Sequence, residues 1–221
     1  MNDLKKYFKE NNKKNIHKWW HYFDIYEENF KKYRNKTLTI LEIGVFRGGS
    51  LFMWEKYFGP NVNIIGIDIN PSCKMFEKEN IKIFIGDQTD EKFLISVLKQ
   101  INKPDIIIDD GGHTSNQQIS SFNYLYESVN DGGIYLVEDT HTSYSNDFQD
   151  REDKLTFVEY AKILSDELND WYRVKNYREY KQKVSEVNVS YWAKNIFKIS
   201  FYNGVVAFEK RQNQTPFSEI R

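Results

Sequence analysis

From residue 38 onward the chain alternates short apolar runs, loops rich in glycine or acid, and amphipathic stretches, and this alternation limits its fold more than any other feature. Leu38–Ile43 is largely apolar and stops at Gly44; Gly48, Gly49 and Ser50 follow, and an amphipathic stretch runs on to Phe58. Such a segment reads as strand, glycine loop, helix. The unit recurs as strands over Asn63–Ile69, Ile81–Ile85, Asp105–Ile108 and Gly133–Val137, with helices near Ser72–Glu79, Glu91–Ile101 and Gln117–Ser128. Strands separated by helical crossovers pack as a parallel sheet with helices on both faces.

The flanks complete the pattern. Lys5–Arg34 carries aromatic and aliphatic residues at helical spacings and predicts one or two helices ahead of the sheet. Arg151–Tyr172 has the length of a helix, with Phe157, Tyr160, Ala161, Leu164, Leu168 and Trp171 on one face. Ile196–Tyr202 and Val205–Glu209, joined by Asn203 and Gly204, predict a hairpin that adds an antiparallel edge. The expected organisation is one domain, with residues 1–36 as an N-terminal helical segment of it and 37–221 as its α/β body. The cluster Trp19, Trp20, His21, Tyr22 reads as core packing rather than a lid. The loop His141–Arg151 is either a gate or a solvated connector.

Composition removes several classes of partner. The 31 Lys and Arg against 32 Asp and Glu leave a net charge of -1, which gives no support to a nucleic-acid partner. The single cysteine, Cys73, cannot form an internal disulfide and points to a reducing compartment. No stretch approaches the ~20 apolar residues of a membrane span, and Met1–Lys14 is polar and lysine-rich, so a cytoplasmic protein is expected.

The candidate chemistry lies where strands end. The loop after the first strand lets a ligand approach backbone N–H groups closely. Asp68, about twenty residues on at the end of the second strand, stands where an acid takes the ribose of an adenosine, or is an ordinary strand-end aspartate. The spacing Gly44-x-x-x-Gly48 differs from Gly-x-Gly-x-x-Gly and favours a nucleoside cofactor without pyrophosphate. The fourth and fifth strands end in Asp109, Asp110, Gly111, Gly112, His113 and in Glu138, Asp139. Carboxylates crowded together resist ionisation unless a cation intervenes. Asp110, Glu138 and Asp139 offer the oxygen ligands of Mg²⁺ or Mn²⁺, unless some of them point outward as helix caps. His113 is the candidate general base; His17, His21 and His141 are weaker candidates.

Glu42-x-Gly44-x-x-x-Gly48, followed by an acid ending the second strand, resembles the class I S-adenosylmethionine-dependent methyltransferases. That resemblance implies a Rossmann-like, mostly parallel seven-stranded sheet with an antiparallel C-terminal hairpin and helices on both faces. It further implies that Glu42 and the Gly44–Ser50 loop hold the methionine end of the cofactor, that Asp68 takes the ribose, that Gly86, Asp87 and Gln88 flank the adenine, and that Asp109 belongs to the cofactor side. Asp-Asp-Gly-Gly-His followed by Val-Glu-Asp resembles, over roughly residues 15–145, the metal-dependent sugar O-methyltransferases of macrolide-antibiotic and capsule or lipopolysaccharide biosynthesis. The likeness implies Asp110, Glu138 and Asp139 as metal ligands, His113 as base, a sugar or glycan hydroxyl as acceptor, and homo-oligomers as a possible assembly. The short N-terminal region departs from the antibiotic enzymes, some of which carry an extra domain. Catechol O-methyltransferase has similar metal logic, with a lysine where His113 stands. A catechol-like or other small natural product therefore remains an alternative acceptor. A nicotinamide-dependent enzyme and a non-catalytic binding module are the rival classes.

Overall fold

The computed structural model describes residues 2–12, 15–173 and 189–219. Strands β1 (Leu38–Ile43), β2 (Val62–Asp68), β3 (Ile81–Ile85), β4 (Ile106–Asp109), β5 (Ile134–Val137), β6 (Ile196–Tyr202) and β7 (Val205–Lys210) form one sheet in the order β3-β2-β1-β4-β5-β7-β6. The first five are parallel, and β7 runs antiparallel between β5 and β6. This is the expected mixed seven-stranded sheet.

The strand side chains alternate between two cores. Ile40, Ile64, Ile106, Ile108 and Leu136 face a layer built by α1 (Asp3–Glu10), α2 (Tyr22–Phe30) and α3 (Gly49–Phe58). Leu41, Ile65, Ile107, Tyr135 and Val137 face a layer built by α4 (Glu91–Leu98), α5 (Ser115–Leu125) and α6 (Phe157–Glu167). Central strands buried on both faces explain why the runs in the sequence are nearly continuously apolar rather than alternating.

Local chemistry sets the element ends. α5 begins two residues before the expected Gln117, because Thr114 and Gln117 close a reciprocal capping box. The segment expected as a helix over Ser72–Glu79 is instead a 3₁₀ stretch, Pro71–Phe76, capped by Asn70. It has no room to lengthen: Lys78 pairs with Ile81, and the Glu77 carboxylate accepts from the Ile83 amide, turning the chain straight into β3. The helix expected over Arg151–Tyr172 is confined to α6, starting after Thr156, whose hydroxyl accepts from the Glu159 amide, and giving way to a 3₁₀ turn at Asp170–Tyr172.

The tryptophan cluster is a larger correction. Trp19 and Trp20 are 53% and 45% exposed, whereas Tyr22 is buried. They precede α2; Trp20 lays its ring edge-on against Phe23, but both indoles stay about half in solvent instead of entering the core that Phe23, Tyr26 and Phe30 occupy.

Phe122 is the hub of the second layer. Its ring lies 4.5–6.1 Å from those of Phe208, Tyr126, Tyr135, Trp192, Phe157 and Tyr160 and is fully buried. Phe122→Ala removes these contacts and leaves a cavity, so urea unfolding is expected to show a loss of ~3–5 kcal/mol.

Candidate active site

The sheet order reverses between β1 and β4, where a crevice opens beyond the carboxyl ends of parallel strands. A cavity of about 290 Å³ lies there, lined by Gly44, Phe46, Asp68, Gly86, Asp87, Gln88, Asp110, Gly111 and Gly112 among others. Gly44 is irreplaceable on two grounds: its φ is +91°, and a Cβ would stand 1.9 Å from the Asp110 carbonyl oxygen.

Asp68 shapes the glycine loop. One carboxylate oxygen accepts from the Val45 and Phe46 amides, both at 2.9 Å, and the other accepts from the Asn70 amide at 2.8 Å. Gln88 ties β3 to β4: its amide donates to Asp109 and Ser121, and its carbonyl accepts from the Gly112 amide at 2.9 Å. Asp87 accepts from the backbone and hydroxyl of Thr89. Cys73, also on the crevice, donates to the Phe46 carbonyl; burial pushes its thiol up to about 11, which leaves it inert.

Four of the residues expected around a cofactor do not line this cavity. Glu42 is wholly buried and accepts from Ser50 and the Trp54 indole at 2.9 and 3.1 Å, so Ser50 is directed to Glu42. Gly48 packs on Phe76, where a Cβ would meet the ring at 2.5 Å. Asp109 is buried behind Gln88 and Tyr135, and burial pushes its carboxyl up to about 7.

At the other end of the crevice Asp110, His113 and Asp139 each direct one ligand atom into a space where all three atoms lie within 4.8 Å of one another. His113 Nε2 is 3.5 Å from Asp139 Oδ2 and 3.9 Å from Asp110 Oδ1. His141 Nδ1 is 3.8 Å from Asp139 Oδ1. Glu138 is turned inward from this group and fully buried, and its Oε1 has no hydrogen-bond partner among the described residues. Carboxylate oxygens with an imidazole beside them fit a hard divalent cation.

The backbone is strained where these side chains are presented. Phe46, His113 and Asp139 have φ of 51°, 61° and 53°, three of the five non-glycine positive values among the described residues. Left-handed conformations cost a branched or bulky residue free energy and persist where the surroundings enforce them. The Thr142 hydroxyl donates to the His113 carbonyl, and the Gln118 amide to the Glu138 carbonyl, each at 2.9 Å.

Two contributors were not picked out from the sequence. The Tyr22 hydroxyl donates to Asp139 Oδ1 at 2.8 Å. The Lys18 ammonium donates to both Asp110 and Glu138, at 2.8 Å from Glu138 Oε2, with its side chain only 3% exposed. Burial opposes the charge on Lys18, but Asp110, Glu138 and Glu42 outweigh it and hold the ammonium above the usual lysine range. Burial likewise raises Asp110 and Glu138, with Lys18 opposing. A lone lysine in a lysine-rich leader carries no pattern, so only the fold brings it here.

No protein-family model matches the chain. It is 36% identical over 157 residues to the 8-demethyl-8-alpha-L-rhamnosyl tetracenomycin-C 2'-O-methyltransferase of Streptomyces olivaceus, covering 67% of this chain and 41% of that protein. It is 32% identical over 201 residues to the mycinamicin VI 2''-O-methyltransferase of Micromonospora griseorubida, covering 85% of this chain and 47% of that one. The solved structure of the MycE methyltransferase from the mycinamycin pathway, in complex with Mg and SAH, superimposes with a TM-score of 0.77 at 30% identity, covering 90% of this chain and 51% of that one. The chain has the fold of the class I methyltransferases. Within that class it resembles the sugar O-methyltransferases of macrolide and tetracenomycin biosynthesis, and it spans less than half the length of these two relatives.

This class I core buries Glu42 without full charge compensation, because burial pushes its carboxyl from 4.5 up to about 7. The folded state therefore binds more protons than the unfolded state between those values, and stability contributed by the protonated form is lost as pH rises through that window. Glu42→Gln can donate to Ser50 and accept from Trp54. Urea midpoints at pH 5 and pH 8 are expected to differ less in the variant than in the wild type.

Proposed function

We propose that the chain is an S-adenosylmethionine-dependent, divalent-metal-dependent O-methyltransferase acting on a hydroxyl of a sugar or glycoside. The carrying observation is the convergence of Asp110, His113 and Asp139 beside the glycine-lined crevice. Similarity to O-methyltransferases of glycosidic hydroxyls supports the choice of acceptor.

When bound, S-adenosylmethionine supplies an electrophilic methyl, and Mg²⁺ or Mn²⁺ lowers the pKa of a coordinated hydroxyl. In this reading Asp110, Glu138 and Asp139 hold the metal, and Gly44, Asp68, Asp87 and Gln88 face the cofactor. Glu42, Gly48, Ser50 and Asp109 brace the loops from behind. Neighbouring hydroxyls of a sugar would complete the ligand set of a metal held by these residues, leaving the reacting hydroxyl within reach of His113. His113 would accept the proton of that hydroxyl, and a bound S-adenosylmethionine would supply the methyl, with S-adenosylhomocysteine as the leaving group. Tyr22 steadies Asp139 through its hydroxyl. Holding the acceptor and the methyl in line supplies much of the acceleration.

The reading places the enzyme in the cytoplasm, in the assembly of a polysaccharide or other glycoside, without a nucleic-acid partner and with a homo-oligomer as its assembly. The single cysteine, buried and unpaired, and the near-neutral charge support the first and third of these points. No helix among the described residues is long and apolar enough to cross a membrane.

Calorimetric titration with S-adenosylhomocysteine, with and without Mg²⁺, is expected to give one site per chain, and NAD none; preference for NAD would overturn the assignment. His113→Ala is expected to lower methyl transfer ~10²–10⁴-fold while leaving cofactor affinity nearly unchanged. Asp68→Ala is expected to do the reverse, because it loosens the Val45–Phe46 loop.

A further inference from the structure

Lys18 stands where the proposed metal needs its ligands. Its ammonium binds the carboxylates of Asp110 and Glu138 together, two of the three side chains assigned to the cation. Asp110 turns one oxygen to Lys18 and the other toward His113, so it is shared between the lysine and the open group formed with Asp139. Glu138 is committed to the lysine through Oε2, and its Oε1 lies buried without a partner.

A divalent ion held by both Asp110 and Glu138 would draw on the two carboxylates that now accept from the Lys18 ammonium. Two like charges held by the same pair of carboxylates repel strongly in so dry a space. We propose that Lys18 is a tethered cation that competes with the divalent metal for Asp110 and Glu138, so that metal loading expels it and loosens the segment that carries it. The inference rests on the metal-dependent reading above.

That segment is suited to exchange. Among the described residues, no main-chain hydrogen bond involves residues 15–18. The strap rests on close approach of the Asn15 carbonyl to Gly49, on partial burial of Ile16, and on the Lys18 ion pairs. The next residue, Trp19, is half exposed, with its ring 5.8 Å from that of His141, whose Nδ1 faces Asp139. Expulsion of Lys18 therefore shifts an aromatic residue at the acceptor's side of the site. In the absence of metal the same ammonium offsets part of the like-charge repulsion.

Two measurements on the full chain test this. Mn²⁺ binding, read by electron paramagnetic resonance of the free ion, is expected to be at least ~10-fold tighter in Lys18→Met than in the wild type, since no ammonium has to leave. Acetylation of the wild-type protein by an amine-reactive ester, read by mass spectrometry, is expected to rise at least ~10-fold at Lys18 on adding Mg²⁺, with the surface lysines as internal controls. This second measurement needs no variant and stands if Lys18→Met fails to fold. Mn²⁺ binding of equal or lower strength in the variant, or unchanged acetylation of Lys18 in a metal-bound wild type, would overturn the competition alone. Absence of Mn²⁺ binding in both proteins would overturn the metal-dependent reading and this inference with it, while S-adenosylhomocysteine binding reports separately on the methyltransferase assignment.

Discussion

Two neighbouring parallel strands that both end in carboxylates impose the constraint around which the rest is arranged. β4 and β5 are paired in register, Asp109 against Val137, so Asp110 and the pair Glu138, Asp139 leave the sheet side by side. Strand spacing of ~4.8 Å gives these like charges little room to separate. The protein answers with cationic and neutral donors brought from far along the chain: Lys18 to Asp110 and Glu138, Tyr22 to Asp139, and the His113 imidazole between the two groups. Three carboxylates against one ammonium leave the group short of positive charge, and a dication that takes the ammonium's place supplies one charge more than it removes. The N-terminal segment thus belongs to the electrostatics of the site as much as to the packing of the first layer.

The same acids explain the distribution of strain. His113 and Asp139 could be carried on relaxed turns if only their positions mattered, yet both adopt left-handed backbone conformations. Asp139 stands two residues beyond β5 and His113 four beyond β4, and at these positions their side chains meet in one group with Asp110. Hydrogen bonds from Thr142 and Gln118 to the adjoining carbonyls hold these turns, and packing of the aromatic layers below them supplies the rigidity. The loop after β1 uses the same device at Phe46, with Asp68 pinning its amides.

What could be seen in the sequence follows from what is periodic or local. Apolar runs ended by glycine or acid revealed the five parallel strands to within a residue, because central strands have a simple composition and their ends carry the chemistry, and the Asn203-Gly204 turn revealed the hairpin of β6 and β7. Asp110, His113 and Asp139 were visible because the strand-end rule fixes where such residues gather. The helix expected over Ser72–Glu79 was misread, since its composition allows a helix while the short return to β3 forbids one. Lys18 was invisible for the opposite reason: its significance depends on residues 92 and 120 positions away, and no local spacing encodes such a pairing.

The assignment of acids to roles shows a further limit. Glu42, Asp68 and Asp109 all sit where a cofactor-binding pattern puts an acid, and pattern alone treats them alike. Burial separates them: Asp68 lines the crevice with backbone amides as its partners, whereas Glu42 and Asp109 are sealed behind it and are pushed toward neutrality by desolvation. Glu42 commits its two oxygens to Ser50 and Trp54 and stays out of the crevice. With Glu42 and Asp109 engaged behind the crevice, Asp110, His113 and Asp139 are the groups that open onto a common space, while Glu138 is held by Lys18.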